Sequence, residues 1–229
     1  MPIILQEYIN IHSHSICKKN TTGIINLFAH QFSKELMIEG QYYSIGLHPL
    51  HINGKTFSTF EKTISDNINN PQIIALGEAG LDRRYSTDIQ LQMTVLEKHS
   101  LISERNEMPV ILHCVRSYND LISVRNSANA RMPWILHAYY GNIQTTAQLL
   151  KHNIYFSFGK NLIHPTDKLI EVINLIPLDR VFFENDEDDL EIETAYDNYS
   201  RITGTDISLL KNIIRNNFKE CFGIQNVED

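Results

Sequence analysis

Two histidines separated by one residue, His12 and His14, follow an apolar run from Tyr8 to Ile11 that Asn10 interrupts. In an extended strand successive side chains alternate between faces, so both imidazoles point the same way. Two neutral imidazoles on one face at a strand end can share a divalent cation. Further potential ligands recur along the chain at the same structural address. Glu78 follows Ile73–Gly77, His113 follows Pro109–Leu112, His137 follows Pro133–Leu136, and Asp186 comes just after Val181–Asn185. Each stands at the C-terminal end of an apolar segment that reads as a strand. One polar residue at a strand end commonly caps a loop. Ligand-type residues at the ends of five separate strands are hard to read as capping. Four histidines and two carboxylates supply ligands for two cations, with one carboxylate bridging. Such a pair, about 3.5–4 Å apart, lowers the pKa of a bridging water and clamps the attacking and leaving oxygens of a hydrolysed ester. Covalent catalysis has less support. There is no Gly-x-Ser-x-Gly elbow, and Cys114, next to His113, faces the opposite side of its strand as barrel wall.

The elements that position these residues are short. Eight apolar segments read as strands: Tyr8–Ile11, Ile24–Ala29, Tyr42–Leu47, Ile73–Leu76, Val110–Leu112, Trp134–Leu136, Ile154–Phe158 and Val181–Phe183. Helical spacing of apolar residues runs over Ile89–Arg105, Thr145–His152 and Asp167–Leu175. Strands alternating with helices imply a parallel sheet, and eight units imply a TIM-type (β/α)8 barrel of the α/β class. The connections between Ser15 and Tyr42 are too short for two crossover helices, so the first βα units are expected to be trimmed. A doubly wound sheet is disfavoured, because no Gly-x-Gly-x-x-Gly or Walker loop follows any strand. No repeat, linker or low-complexity tract divides the chain, so residues 1–229 are expected to form a single domain. The acidic run Asn185–Asn198 reads as a solvated loop and helix start.

Composition fits an ordinary soluble globular domain rather than a disordered chain. Hydrophobic residues make up 42% and charged residues 21%, and the net charge is −7. That balance argues against a protein that coats DNA through a basic field, but not against an enzyme gripping a few phosphates locally. Cys17, Cys114 and Cys221 are widely spaced and odd in number, which excludes a disulfide framework or a cysteine zinc site. The first residues lack a basic region followed by an apolar one, and no apolar run approaches a membrane span. A cytoplasmic location, with no membrane association and no obligate protein partner, is the expectation.

In order, the motifs Ile11-His12-Ser13-His14, Ile45-Gly46-Leu47-His48-Pro49, Gly77-Glu78-Ala79-Gly80-Leu81-Asp82, Pro109-Val110-Ile111-Leu112-His113, Ile135-Leu136-His137-Ala138-Tyr139-Tyr140-Gly141 and Phe183-Glu184-Asn185-Asp186 resemble those of the TatD family of metal-dependent hydrolases. The tail Asn217–Gly223 is similar to the family's closing helix. The resemblance implies a barrel hydrolase with two divalent ions (zinc, magnesium or manganese). One ion would be held by His12, His14, Glu78 and Asp186, the other by Glu78, His113 and His137. Asp186 and Glu78 would be the catalytic carboxylates, and DNA or another phosphate ester the substrate. The chain departs from the pattern at Asn10, where the family has Asp, and at Asn185, where it has Thr. Its Cys114-Val115-Arg116 replaces Ser-Arg-Asp, moving the arginine by one position.

Residues in loops after predicted strands are the candidates for holding substrate: His48, Arg83, Arg84, Arg116 and Lys160, with Tyr139 and Tyr140 available to stack a base or pack the rim. His30, His51, His99, His152 and His164 read as surface histidines. Three functions compete: phosphodiester hydrolysis on DNA; hydrolysis of another ester or amide, such as a phosphotriester, lactone or aminoacyl-tRNA ester; and a non-catalytic barrel that retains zinc. An Asp186 with a catalytic task beyond ligation speaks against the third.

Overall fold

A computed structural model describes residues 7–223. Its strands are β1 (Tyr8–Ser13), β2 (Thr21–Phe28), β3 (Tyr42–Gly46), β4 (Ile73–Asp82), β5 (Val110–Val115), β6 (Trp134–Leu136), β7 (Ile154–Phe158) and β8 (Val181–Phe183). They follow one another in chain order through one eight-stranded sheet. The pairings β1–β2, β3–β4, β4–β5, β5–β6 and β7–β8 are all parallel. Parallel neighbours in chain order are the winding of a (β/α)8 barrel, and that is the fold. The strands read as nearly unbroken apolar runs because both faces are covered; every residue of β6, β7 and β8 is buried. The early units are trimmed as expected. No helix separates β1 from β2, and only two single-turn 3₁₀ segments, Ala29–Gln31 and Lys34–Leu36, lie between β2 and β3.

The helices are α1 (Gly54–Asn67), α2 (Ile89–Asn106), α3 (Tyr118–Ser127), α4 (Ile143–Leu149), α5 (Asp167–Leu175), α6 (Ile192–Thr203) and α7 (Ile207–Cys221). Side-chain caps mark where several begin: Asn53 for α1, Asp88 for α2, Asn142 for α4, Thr166 for α5 and Asp206 for α7. Three strands run further at their C-terminal ends than their apolar segments. β1 continues through His12 to Ser13, β4 through Glu78 to Asp82 and β5 through His113 to Val115, so these polar residues lie inside strands rather than beyond them. No helix among the described residues is long and apolar enough to cross a membrane.

The described residues pack as two compact units. One contains those up to Ile25 together with those from His137 onward; the other is Asn26–Leu136. In the first, helix side chains complete the strands' hydrogen bonding. The Tyr196 hydroxyl of α6 accepts from the Ile9 N–H at 3.1 Å and donates to the Ile9 carbonyl at 3.2 Å. Asn217 of α7 donates to the carbonyls of Leu178 and Val181 at 2.8 and 2.9 Å. In the second unit, Gln92 of α2 is fully buried and brackets Asp82, accepting from its N–H at 2.7 Å and donating to its carbonyl at 3.1 Å. Buried backbone groups must be paired, and these helix side chains supply partners for strand groups.

Candidate functional site

In the first unit, the ends of β1 and β8 set one cluster. Main-chain bonds run from the His14 N–H to the Asp186 carbonyl (3.2 Å) and from the Asp186 N–H to the His12 carbonyl (3.1 Å), so the three residues share one short ladder. Asp186 takes a left-handed backbone, φ 53°, which Asp tolerates better than most residues. That turn aims its carboxylate back at the histidines. Nε2 of His12 and Nε2 of His14 each lie 3.4 Å from Asp186 Oδ1. This is longer than a good N–H···O bond and is repeated on one oxygen, a spacing that suits ligands around a cation. Burial pushes the Asp186 carboxyl up, but His12, His14 and His137 outweigh it and hold it well below the usual carboxylate range.

Next to this cluster, Glu184 Oε1 accepts the Ala138 N–H at 2.7 Å and faces His137 Nδ1 at 3.3 Å. A carboxylate on Nδ1 selects the tautomer with its proton there and leaves the lone pair on Nε2, the usual arrangement behind a metal-bound histidine. Glu184 is buried, and its Oε2 has no hydrogen-bond partner among the described residues. Ligand atoms of His12, His14 and Asp186, and of His137, Glu184 and Asp186, fall within 4.8 Å of one another. A cavity of about 340 Å³ opens here, lined by Tyr140, Lys160, Asn161, Glu184, Asn185 and Asp186. Two of the departures from the family motif meet: Asn10 Nδ2 donates to Asn185 Oδ1 at 2.8 Å, and Asn10 Oδ1 accepts the His12 N–H at 3.3 Å. One amide pair thus links the strand carrying His12 to the residue preceding Asp186.

The second unit holds its own cluster of His48, Glu78 and His113, with ligand atoms again within 4.8 Å. Asp82, fully buried, accepts from His113 Nε2 at 2.8 Å and from Arg84 Nη2 at 2.6 Å. Burial raises the Asp82 carboxyl, but Arg84 and His113 more than reverse this and hold it at about 2. An ionised Asp82 fixes the His113 proton on Nε2, so the Nδ1 lone pair faces Glu78 Oε1, 3.2 Å away. With His113 neutral, two acceptors face each other there, an arrangement that a cation between them satisfies. His48 differs. Its Nδ1 accepts the Leu50 N–H at 3.1 Å, which puts the proton on Nε2, 3.4 Å from Glu78 Oε1. In that tautomer His48 donates toward Glu78 and steadies it. Glu78 is further held by its N–H, which donates to Asn26 Oδ1 at 2.6 Å.

The structure therefore brings His12, His14, His137 and Asp186 together in one unit, and Glu78, His113 and His48 together in the other. The loop cations are engaged by carboxylates: Arg83 by Asp120 at 2.8 Å, Arg84 by Asp82, and Lys160 by Asp188 at 2.6 Å. Arg116 is exposed on a left-handed turn, φ 55°, just after β5. Tyr139 does not fit the role of a stacking residue. It is 1% exposed, its ring lies 4.7 Å from Phe156 and its hydroxyl pairs with Thr146 at 2.8 Å. Tyr140, 61% exposed, presents its ring instead. Sequence reading missed the parts of Asp82 and Glu184 in orienting histidines. Their even spacing from Glu78 and Asp186 was the available signal, because period-two positions share a strand face.

Residues 12–223 match the sequence profile of the family described as TatD related DNase. An uncharacterised metal-dependent hydrolase of Buchnera aphidicola is 29% identical over 205 residues, covering 80% of this chain and 77% of the relative. The 3′-5′ ssDNA/RNA exonuclease TatD of Escherichia coli is 25% identical over 146 residues, 62% of this chain and 55% of that protein. Among solved structures, the TatD homologue YjjV of Escherichia coli superposes with a TM-score of 0.81 at 17% identity, over 95% of this chain and 98% of that one. With the barrel, the histidine and carboxylate clusters and a profile match along nearly the whole described chain, this protein belongs to the TatD-related family of metal-dependent hydrolases.

Proposed function

We propose that the protein hydrolyses phosphodiester bonds of DNA with two divalent cations, zinc, magnesium or manganese. One is served by His12, His14 and Asp186, the other by Glu78 and His113, with His137 as a further ligand through Nε2. The observation that carries this reading is the convergence of ligand atoms: His113 Nδ1 lies 3.2 Å from Glu78 Oε1, and two imidazole nitrogens lie 3.4 Å from one Asp186 oxygen. When bound, such a pair supplies an activated water and neutralises the charge of the cleaved ester, as the family's two-metal chemistry implies. Asp186, kept ionised by its histidine neighbours, accepts the proton of the attacking water. Glu184 holds His137 and Asp82 holds His113 in the ligating tautomers. DNA as substrate is supported by the likeness to a relative named as a single-stranded DNA and RNA exonuclease.

A second reading is favoured by the engaged cations. Arg83, Arg84 and Lys160 already face carboxylates, which suits an ester carrying less charge than a polynucleotide. Metal analysis of the purified protein, followed by turnover on single-stranded DNA and on a panel of neutral esters, separates the two. We expect bound divalent metal and single-strand cleavage that chelation abolishes and added metal restores. Chelator-resistant turnover would remove the metal from the mechanism; turnover confined to neutral esters would favour the second reading.

A further inference from the structure

Three rings that the sequence marks as ordinary form a cluster in the Asn26–Leu136 unit. Phe28 is the last residue of β2, His30 stands in the 3₁₀ segment that follows, and His51 closes the 3₁₀ segment Pro49–His51 after β3. The Phe28 and His51 centroids are 4.8 Å apart at 71°, those of His30 and His51 4.4 Å apart at 42°, and those of Phe28 and His30 5.8 Å apart. All three are partly exposed. Hydrated surface histidines have no reason to gather around a phenylalanine, whereas aromatic faces held together at a surface form a platform for another flat ring. The His30 Nδ1 atom is shielded from solvent and has no hydrogen-bond partner among the described residues, so an edge-on polar contact is also on offer.

The cluster adjoins the candidate metal ligands. His51 lies 5.9 Å from His48, the residue that faces Glu78, and the His48 ring lies 4.6 Å from that of His113. Of the cations in this unit, Arg83 and Arg84 are both held by carboxylates. What the three rings present beside the hydrolytic residues is π area. A polynucleotide gripped here would be held by its bases. Bases offer free faces only when single-stranded, where stacking on Phe or His is the usual mode of binding.

We propose that Phe28, His30 and His51 form a stacking platform for one nucleobase of a single-stranded substrate, next to the ester held at Glu78 and His113. The platform rests on the phosphodiesterase reading and extends it by naming what holds the strand. His30 and His51 supply faces, and His30 Nδ1 meets the edge of the base. Duplex DNA, whose bases are stacked on one another, gains nothing from the platform.

The test uses the metal-loaded protein and a cleavage-resistant phosphorothioate single strand carrying 2-aminopurine, whose fluorescence is quenched on stacking. We expect binding by the unaltered protein to quench the probe. His51→Leu, similar in bulk but without a π face, should raise Kd about tenfold and remove the quenching. His51→Phe should restore both, which loss of fold could not explain. An abasic site in place of 2-aminopurine should weaken binding to the unaltered protein as His51→Leu does. Unchanged Kd and quenching in a His51→Leu protein that melts normally would overturn the platform while leaving the phosphodiesterase reading intact. If the unaltered protein neither binds nor cleaves any oligonucleotide, the phosphodiesterase reading itself fails, and the platform with it.

Discussion

In the proposed mechanism Asp186 does two things with one carboxylate: it faces two imidazoles and takes a proton from water. Its main chain is fixed by bonds to the residues that present those imidazoles, so altering its side chain need not disturb its position. Asn in its place keeps the size and one oxygen ligand but removes the basic charge. We expect Asp186→Asn to retain at least part of the metal while turnover falls by about 10²–10⁴-fold, the usual worth of a positioned acid–base group. Metal content and turnover measured on the same sample check this; full metal with near-normal turnover would place the base elsewhere. The residue scale also shows what sequence can and cannot give. The motif ligands are legible because their spacing is local. That His48 donates while His113 accepts depends on which partner meets each second nitrogen, Leu50 N–H in one case and Asp82 in the other. Asp82 stands 31 residues from His113 in the chain, so no local pattern announces the pairing.

At the scale of elements, β4 does more than its apolar run suggests. Its extension carries Glu78 to just below the level of His113 and Asp82 past it, with Gly80 paired opposite His113 and Leu81 opposite Cys114. Gly80 has φ +137°, and a Cβ there would lie 1.9 Å from the His113 carbonyl oxygen. Gly80→Ala should therefore cost about 2–4 kcal/mol of stability, through backbone strain and forced separation of β4 from β5. Denaturant unfolding measures this, and a loss below about 0.5 kcal/mol would show that the pair yields easily. All eight strands were legible, because a strand covered on both faces reads as an apolar run. Helices α1 and α3 were not, and α6 and α7 were only in part. α1 buries only Thr56, Phe60 and Ile64 in a largely polar sequence. α3 buries Leu121, Val124 and Arg125. α6 has Ile192, Ala195, Tyr196 and Tyr199 at helical spacing, but only its beginning falls in the acidic run that reads as a solvated loop and helix start. Their apolar stripes are narrow, and a narrow stripe is a weak periodic signal.

For the molecule as a whole, stability should depend on a histidine far from any ligand role. His99 was read as a surface residue. It is fully buried, accepts the Leu47 N–H on Nε2 at 3.2 Å, contacts the Val95 carbonyl through Nδ1 at 2.8 Å, and stacks on Phe60 at 5.0 Å. Burial lowers its pKa to about 4, although Val95 and Glu61 pull the other way. Between that value and the ordinary 6.5 the unfolded chain binds a proton that the folded one refuses, so stability is intact above about pH 6.5 and falls as the pH drops toward 4. The loss from this residue is about 3 kcal/mol. Denaturation midpoints at pH 7 and pH 4.5 should show it, and His99→Gln should flatten the difference; an unchanged slope in that variant would assign the acid sensitivity to other groups. The division into two units also bears on how the protein is made. Asn26–Leu136 is one continuous stretch, available to fold while later residues are still being added by the ribosome. The other unit joins the described residues up to Ile25 with those from His137 onward, and Ser13 must wait for Asp186 before their bridge can close. Until then His12 and His14 sit on an emerging strand with no carboxylate from β8 beside them. Nascent chains should thus assemble the histidine and carboxylate set of Glu78 and His113 first, and that of His12, His14 and Asp186 only once Asp186 has been added.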